Sequence, residues 1–155
     1  MSPWDLAKSG SEHGHQSALF AFVAMAINKG FNAAWDEACY KNPTLYPMLE
    51  NKLDELKWFH AIPNGGSLGD SEKSRMIRGA QKKAEGVKKG VADTFAPFRR
   101  NQWPGLYIEM KKLKKGVLSP EQKTFRDFVM SQGYGWYHAK GWEDAAKTLQ
   151  AYYES

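Results

Sequence analysis

The hydrophobic pattern switches repeatedly between a helical and a strand-like period. Leu19, Phe20, Phe22, Val23, Ala26 and Ile27 recur at helical spacing after Glu12, and Gly30 follows Lys29 as a stop signal, so a helix is predicted over 12–29. Pro47 to Lys57 (PMLENKLDELK) also has a helical pattern. Trp58-Phe59-His60-Ala61-Ile62 then reads as a short strand stopped by Pro63-Asn64-Gly65-Gly66, and a helix is expected from Ser71 to Glu85. Two strand candidates follow, Val91–Phe95 and Leu106–Lys111, rich in β-branched and aromatic residues and separated by a loop holding Pro97, Arg99, Arg100 and Pro104. Ser119-Pro120-Glu121-Gln122 supplies an N-cap hydroxyl, a proline at the first helical position and a glutamine three residues after the cap, so a helix starts there and should end near Gly133. Tyr134–Ala139 is a further strand. Trp142, Ala145, Ala146, Leu149, Tyr152 and Tyr153 mark the inward stripe of a last helix. The stretches around Gly30–Pro47 and Asn64–Asp70 look like irregular connections.

At 155 residues the chain has room for one compact domain, expected over 1–155, and it contains no repeat or low-complexity tract. Its longest apolar run, Ala18 to Ile27, is too short to cross a bilayer, so no membrane partner is expected. That run has the length of a signal-peptide core, but the segment before it carries Asp5, Lys8 and Glu12 and is not net positive. The lone Cys39 cannot form an internal disulfide, which fits a reducing cytoplasmic location.

Charge changes the picture more. The net charge of +5 is concentrated between Lys73 and Lys115, where lysines and arginines are interleaved with Phe95, Phe98 and Trp103. Such a series suits a polyanion whose phosphates need neutralising; the plainer explanation is a solvated surface. Arg99, Arg100, Lys114 and Lys115 flank the Leu106–Lys111 strand in sequence and are the expected phosphate contacts.

Candidate chemistry centres on Tyr107-Ile108-Glu109-Met110-Lys111. On a strand, Leu106, Ile108 and Met110 share one face while Glu109 and Lys111 share the other, so a carboxylate and an ammonium project side by side. A simple ion pair on a half-exposed strand would look the same. Asp93, in Gly90-Val91-Ala92-Asp93, adds a second carboxylate that an adjacent strand could bring within reach of one hard cation. Glu12 and Gln16 lie one turn apart and line up with Leu19, Val23 and Ile27 on the inward stripe of the first helix. Glu12 could instead complete a capping box with Ser9, and Gln122 could simply cap Ser119.

Taken in order, Ser11-Glu12-His13-x-x-Gln16, His60-Ala61-Ile62-Pro63-Asn64-Gly65-Gly66, Gly90-Val91-Ala92-Asp93, Gly105-Leu106-Tyr107-Ile108-Glu109-Met110-Lys111 and Leu118-Ser119-Pro120-Glu121-Gln122 make the chain resemble the viral-type replication-repair nucleases (VRR-NUC). These are a branch of the PD-(D/E)XK superfamily, and the likeness is to the stand-alone form of phages and prophages, from about Ser11 to the C-terminal helix. The family pattern usually has proline before the aspartate, where this chain has Ala92; the change alters turn rigidity and removes no ligand. No motif matches between Gly30 and Lys57, which reads as a helical elaboration.

The resemblance implies an α/β (α+β) restriction-endonuclease-like core, with a mixed four-stranded sheet flanked by helices. It makes Glu12, Asp93 and Glu109 acidic site residues, Lys111 the lysine of the E-x-K, and Gln16 and Gln122 supporting groups. Glu12, Asp93, Glu109 and a main-chain carbonyl near Met110 would hold Mg²⁺ or Mn²⁺. Lys111 would orient or deprotonate a water, or offset phosphoryl charge; the sequence leaves both open.

The implied activity is metal-dependent endonucleolytic cleavage of DNA, with branched DNA such as Holliday junctions the leading substrate and a homodimer the expected assembly, since symmetric cutting calls for paired sites. A flap, duplex or general nuclease and a catalytically silent nucleic-acid-binding module are the alternatives. His13, His15, His60 and His138 lack metal-ligand spacing, so neither a zinc site nor a histidine base is expected.

Overall fold

The computed structural model describes residues 1–40, 53–63 and 71–155. In chain order the elements are α1 (Pro3–Ala7), α2 (Glu12–Lys29), α3 (Phe31–Tyr40), a 3₁₀ turn (Asp54–Trp58), β1 (His60–Ala61), α4 (Glu72–Ala84), β2 (Thr94–Ala96), β3 (Leu106–Lys111), α5 (Pro120–Ser131), β4 (Gly135–Lys140) and α6 (Gly141–Glu154). The expected α+β architecture is present: one four-stranded mixed sheet, ordered β1-β2-β3-β4, flanked by helices. β1 pairs antiparallel with β2 and β2 antiparallel with β3, whereas β3 and β4 run parallel. That last pairing needs a crossover, which α5 provides.

Strand alternation divides the sheet into two faces. Leu106, Ile108 and Met110 belong to the core together with Leu19, Phe22, Ala139, Trp142 and Leu149, so α2 and α6 cover that side. Tyr107 points the other way, stacks on Phe95 at 4.4 Å and meets Phe125 of α5 edge-on at 5.2 Å. With helices over both faces β3 is buried along most of its length, including Glu109 at 2% and Lys111 at 8% exposure. The half-exposed strand that a simple surface ion pair requires is therefore not what this chain builds.

Several predicted elements shift. The 12–29 helix is observed with those bounds, but its buried stripe runs through His15, Ala18, Leu19, Phe22, Val23 and Ala26. That puts Glu12 and Gln16 at the stripe's edge and not on its centre line, because the apolar face is wide and centred nearer to 15, 18, 22 and 26. Phe31–Tyr40, at the start of the stretch read both as an irregular connection and as a helical elaboration, is helical: Phe31, Ala33, Ala34 and Ala38 are buried, and the helix packs against α2. Of the helix expected over Pro47–Lys57, residues 47–52 lie outside the described residues, and Asp54–Trp58 forms a 3₁₀ turn that buries Leu56.

The expected strand Trp58–Ile62 contracts to His60–Ala61, and the one expected over Val91–Phe95 starts only at Thr94. Their shortness follows from the pairing, which spans two register positions between β1 and β2. The helix of residues 3–7 was not anticipated, although Ser2-Pro3-Trp4-Asp5 carries a complete capping box: Asp5 N donates to Ser2 Oγ at 3.2 Å and Ser2 N to Asp5 Oδ2 at 3.1 Å. No described helix is long and apolar enough to cross a membrane.

Candidate active site

The Lys111 end of β3 gathers most of the residues singled out in the sequence. β2 lies antiparallel with Thr94 opposite Ile108, so Asp93, just before it, falls level with Glu109, and its carboxylate reaches the Met110 amide. The arrangement is fixed by two bonds: Met110 N donates to Asp93 Oδ2 at 2.7 Å, and Thr94 Oγ1 donates to the Ile108 carbonyl at 3.0 Å. Gly90 permits the approach of this segment to α5. Its φ of +90° is in the left-handed region, and a Cβ there would lie 2.5 Å from the Glu121 carbonyl oxygen.

Glu109 is the centre of the cluster. Its Oε1 accepts from Lys111 Nζ at 3.1 Å and from Gln122 Nε2. Gln122 also accepts from Ser119 N at 2.9 Å through Oε1, while Ser119 Oγ accepts from Gln122 N at 3.2 Å. The capping role and the site role of Gln122 thus coexist in one side chain, and the cap fixes the amide that reaches Glu109. The other carboxylate oxygen, Glu109 Oε2, is buried with no hydrogen-bond partner.

Burial, then the neighbouring Asp93 charge, pushes the Glu109 pKa up to about 7; Lys111 opposes this, and Glu12 adds to it. A buried anion with one oxygen unsatisfied and further carboxylates close by is the donor set that a hard divalent cation would relieve. The residues present therefore fit such an ion.

Glu12 joins from the other side. As the first residue of α2 after the Ser11 cap, it is exposed, and its Oε1 lies 3.8 Å from Lys111 Nζ. The Ser9-Glu12 capping box is not formed: Ser11 Oγ caps the helix by accepting from Gly14 N at 3.0 Å, and Ser9 Oγ lies 2.8 Å from Ser11 Oγ. Among the described residues no three of His, Cys, Asp and Glu form one metal-sized cluster, so Glu12 stands across the Lys111 ammonium from the Asp93–Glu109 pair. Gln16 is half-buried, and its side chain makes no hydrogen bond to the other described residues. Met110 offers main chain alone, since its side chain is in the core.

The predicted phosphate contacts separate. β3 rises about 3.3 Å per residue, so the loop carrying Arg99 and Arg100 opens roughly 17 Å from Lys111, at the far end of the strand. Adjacency in sequence does not survive the strand between them. The Arg100 side chain is also engaged within the chain: Nε donates to the Tyr153 carbonyl at 2.6 Å, NH2 to Glu55 Oε1 at 3.0 Å, and the guanidinium lies over the rings of Phe98 and Tyr153. Lys114 and Lys115, in the turn after β3, are exposed at the site end. Arg100→Ala is accordingly expected to cost about 2 kcal/mol of stability, measured by urea unfolding. Lys114→Ala with Lys115→Ala should instead leave stability alone and flatten the dependence of DNA affinity on salt.

Three neighbours were not legible in the sequence. Parallel pairing sets His138 beside Glu109 and Lys140 beside Lys111, and His138 Nε2 is a second buried atom with no hydrogen-bond partner. Gly116 packs against the lysine stem, where a Cβ would lie 2.6 Å from Lys111 Cβ. Of the other histidines, His13 and His60 are exposed, and buried His15 accepts from Trp142 N at 3.2 Å through Nδ1, joining α2 to α6.

The raised pKa of Glu109 has a thermodynamic consequence. Because the folded value of about 7 exceeds the ordinary 4.5, the metal-free fold is penalised as pH rises through that interval and is free of the penalty below it. In EDTA, the melting temperature is expected to fall between pH 5 and pH 8 beyond any slope seen in Glu109→Gln, and Mg²⁺ or Mn²⁺ should restore more of it at pH 8 than at pH 5.

No protein-family model matches the chain, and no curated protein matches it. Among solved structures, a protein named "VRR_NUC domain protein" is similar over 93% of this chain and 88% of that one, at 19% sequence identity and a TM-score of 0.57. The chain therefore shares the fold of that VRR_NUC domain protein.

Proposed function

We propose that the protein is a metal-dependent DNA endonuclease of the VRR-NUC type, a PD-(D/E)XK enzyme of the stand-alone phage or prophage kind, hydrolysing phosphodiester bonds in branched DNA such as Holliday junctions. The observation that carries this reading is the buried, half-satisfied Glu109 carboxylate held between Lys111 and Gln122 beside Asp93. A site made only for stability would satisfy both oxygens, since leaving a buried polar atom unpaired costs about 1–3 kcal/mol.

Asp93 and Glu109, with a main-chain carbonyl near Met110, would hold Mg²⁺ or Mn²⁺, and Glu12 would contribute from the α2 side. When bound, the ion supplies Lewis-acid polarisation of the scissile phosphate and a more acidic water. Gln122 holds Glu109 Oε1 and leaves Oε2 for ligation. Lys111, fixed by Glu109 and nearly enclosed, presents an ammonium where negative charge grows on the phosphoryl oxygens. Lys114 and Lys115 would hold the phosphate backbone near the site, with Arg99 a more distant contact. Two copies acting as a homodimer would cut the opposed strands of a symmetric junction, in the cytoplasm.

The deciding experiment incubates the purified protein with a four-way junction, a flap, a duplex and a single strand of matched sequence, each with Mg²⁺, Mn²⁺ or EDTA. Metal-dependent cutting with the junction preferred is expected. Binding without cutting under any cation would leave a nucleic-acid-binding module in its place.

A further inference from the structure

Helix α4 is built differently from the rest of the chain. Among the described helices it alone buries no residue, and Met76 and Ile77 stand 71% and 50% exposed. Its sequence, EKSRMIRGAQKKA, carries five basic side chains against one acidic. Several features work against such a helix standing alone. Gly79, at mid-helix in open space, costs about 1 kcal/mol relative to alanine. Arg78 and Lys82 are like charges one turn apart, worth roughly 0.2–0.5 kcal/mol of repulsion. Thirteen residues is also near the length below which isolated helices are marginal in water.

Position matters as much as charge. β1 ends at Ala61, paired with Thr94, which opens β2, and the Asp93 carbonyl accepts from Ile62 N at 2.7 Å. The chain therefore leaves the sheet and returns to it at one end, the end that carries Asp93 and Glu109. α4 is tethered on both sides to the edge of the candidate site.

We propose that α4 is an arm for the phosphodiester backbone of nucleic acid, ordered and held by the strand whose charge it neutralises. The inference rests on the reading of the site as a nuclease centre, and it adds the element that would carry the substrate past that centre. A polyanion is the occupant that fits a helix carrying five basic side chains against one acidic and burying none of its residues. Lys73, Arg78 and Lys83 are the contacts that test this; Arg75 and Lys82 also interact within the chain. Phosphate contacts carry no base preference, so the arm would tighten binding to all sequences alike.

The test compares the wild-type chain with Lys73→Gln, Arg78→Gln and Lys83→Gln combined, titrated in EDTA against labelled duplex and four-way junction at several salt concentrations. With α4 burying nothing, the variant should keep its melting temperature. Its affinity is expected to fall about 10- to 100-fold at low salt, and the slope of log affinity against log salt to lessen by about 2–3, close to 0.9 per lost contact. Amide exchange in residues 72–84 of the wild type should slow when DNA is added. Equal affinity and equal slope in the two proteins would overturn the arm, while unchanged exchange at 72–84 would overturn its ordering by the ligand. A wild-type chain that binds neither DNA would instead overturn the nuclease reading on which the arm depends.

Discussion

Glu109→Gln and Asp93→Asn should each lower cutting by roughly two to three orders of magnitude, the scale of losing a group that organises transition-state charge, while leaving DNA affinity near wild type. The amides are chosen to preserve the scaffold. Gln at 109 keeps an oxygen for Gln122 and Lys111, and Asn at 93 keeps an acceptor for the Met110 amide. What each removes is negative charge, and at Glu109 burial and like charge already make that charge costly. Rate in Mg²⁺ and affinity in EDTA, measured on the same preparations, separate the two effects. A variant that cuts at near wild-type rate would put the metal elsewhere.

Lys111→Met is the second large effect. Methionine fills much of the same volume along a stem that packs on Gly116, so the strand should persist. The ammonium, though, is the cation lying between Glu109 Oε1 at 3.1 Å and Glu12 Oε1 at 3.8 Å. Its loss should reduce turnover by about a hundredfold or more, because its contribution is made where charge develops and not in holding substrate. Affinity for DNA and the stabilisation by Mg²⁺ should stay within a few-fold of wild type. If binding and turnover fell together, Lys111 would be no more than the partner that steadies Glu109.

The fold was legible wherever local chemistry was strong. The 12–29 helix has a long apolar face and a glycine stop, and the Ser119 cap, with its proline and glutamine, marked the start of α5 to the residue. Ser2-Pro3-Trp4-Asp5 follows the same logic, but a five-residue helix leaves no periodicity to read. The site was half legible. Glu109 and Lys111 share a strand face by simple alternation, and Asp93 lies one hairpin away. The depth at which Glu109 sits depends on α5 closing over the sheet, and the proximity of His138 depends on a parallel register, neither of which has a local signature. Arg100 shows the opposite failure: charge and sequence position suggested a phosphate contact, whereas two ring faces and the Tyr153 carbonyl claim it for the fold.

The mixed sheet also sets an order of assembly. Asp93 and the Met110 amide are separated by 17 residues, and Gln122 and Glu109 by 13, so one short stretch of chain can close most of the cluster at modest loop entropy. Glu12 arrives only when α2 docks, and the His15–Trp142 bond that accompanies this docking spans 127 residues. Contacts of such separation form late, because their closure entropy must be met before they contribute. The acidic pair and its lysine are thus expected to come together early in folding, and Glu12 to join them later. Truncations or temperature shifts that loosen α2 would part Glu12 from Lys111 while leaving the 93–122 hairpin and crossover in place, so that the cluster loses a carboxylate before the protein loses its sheet.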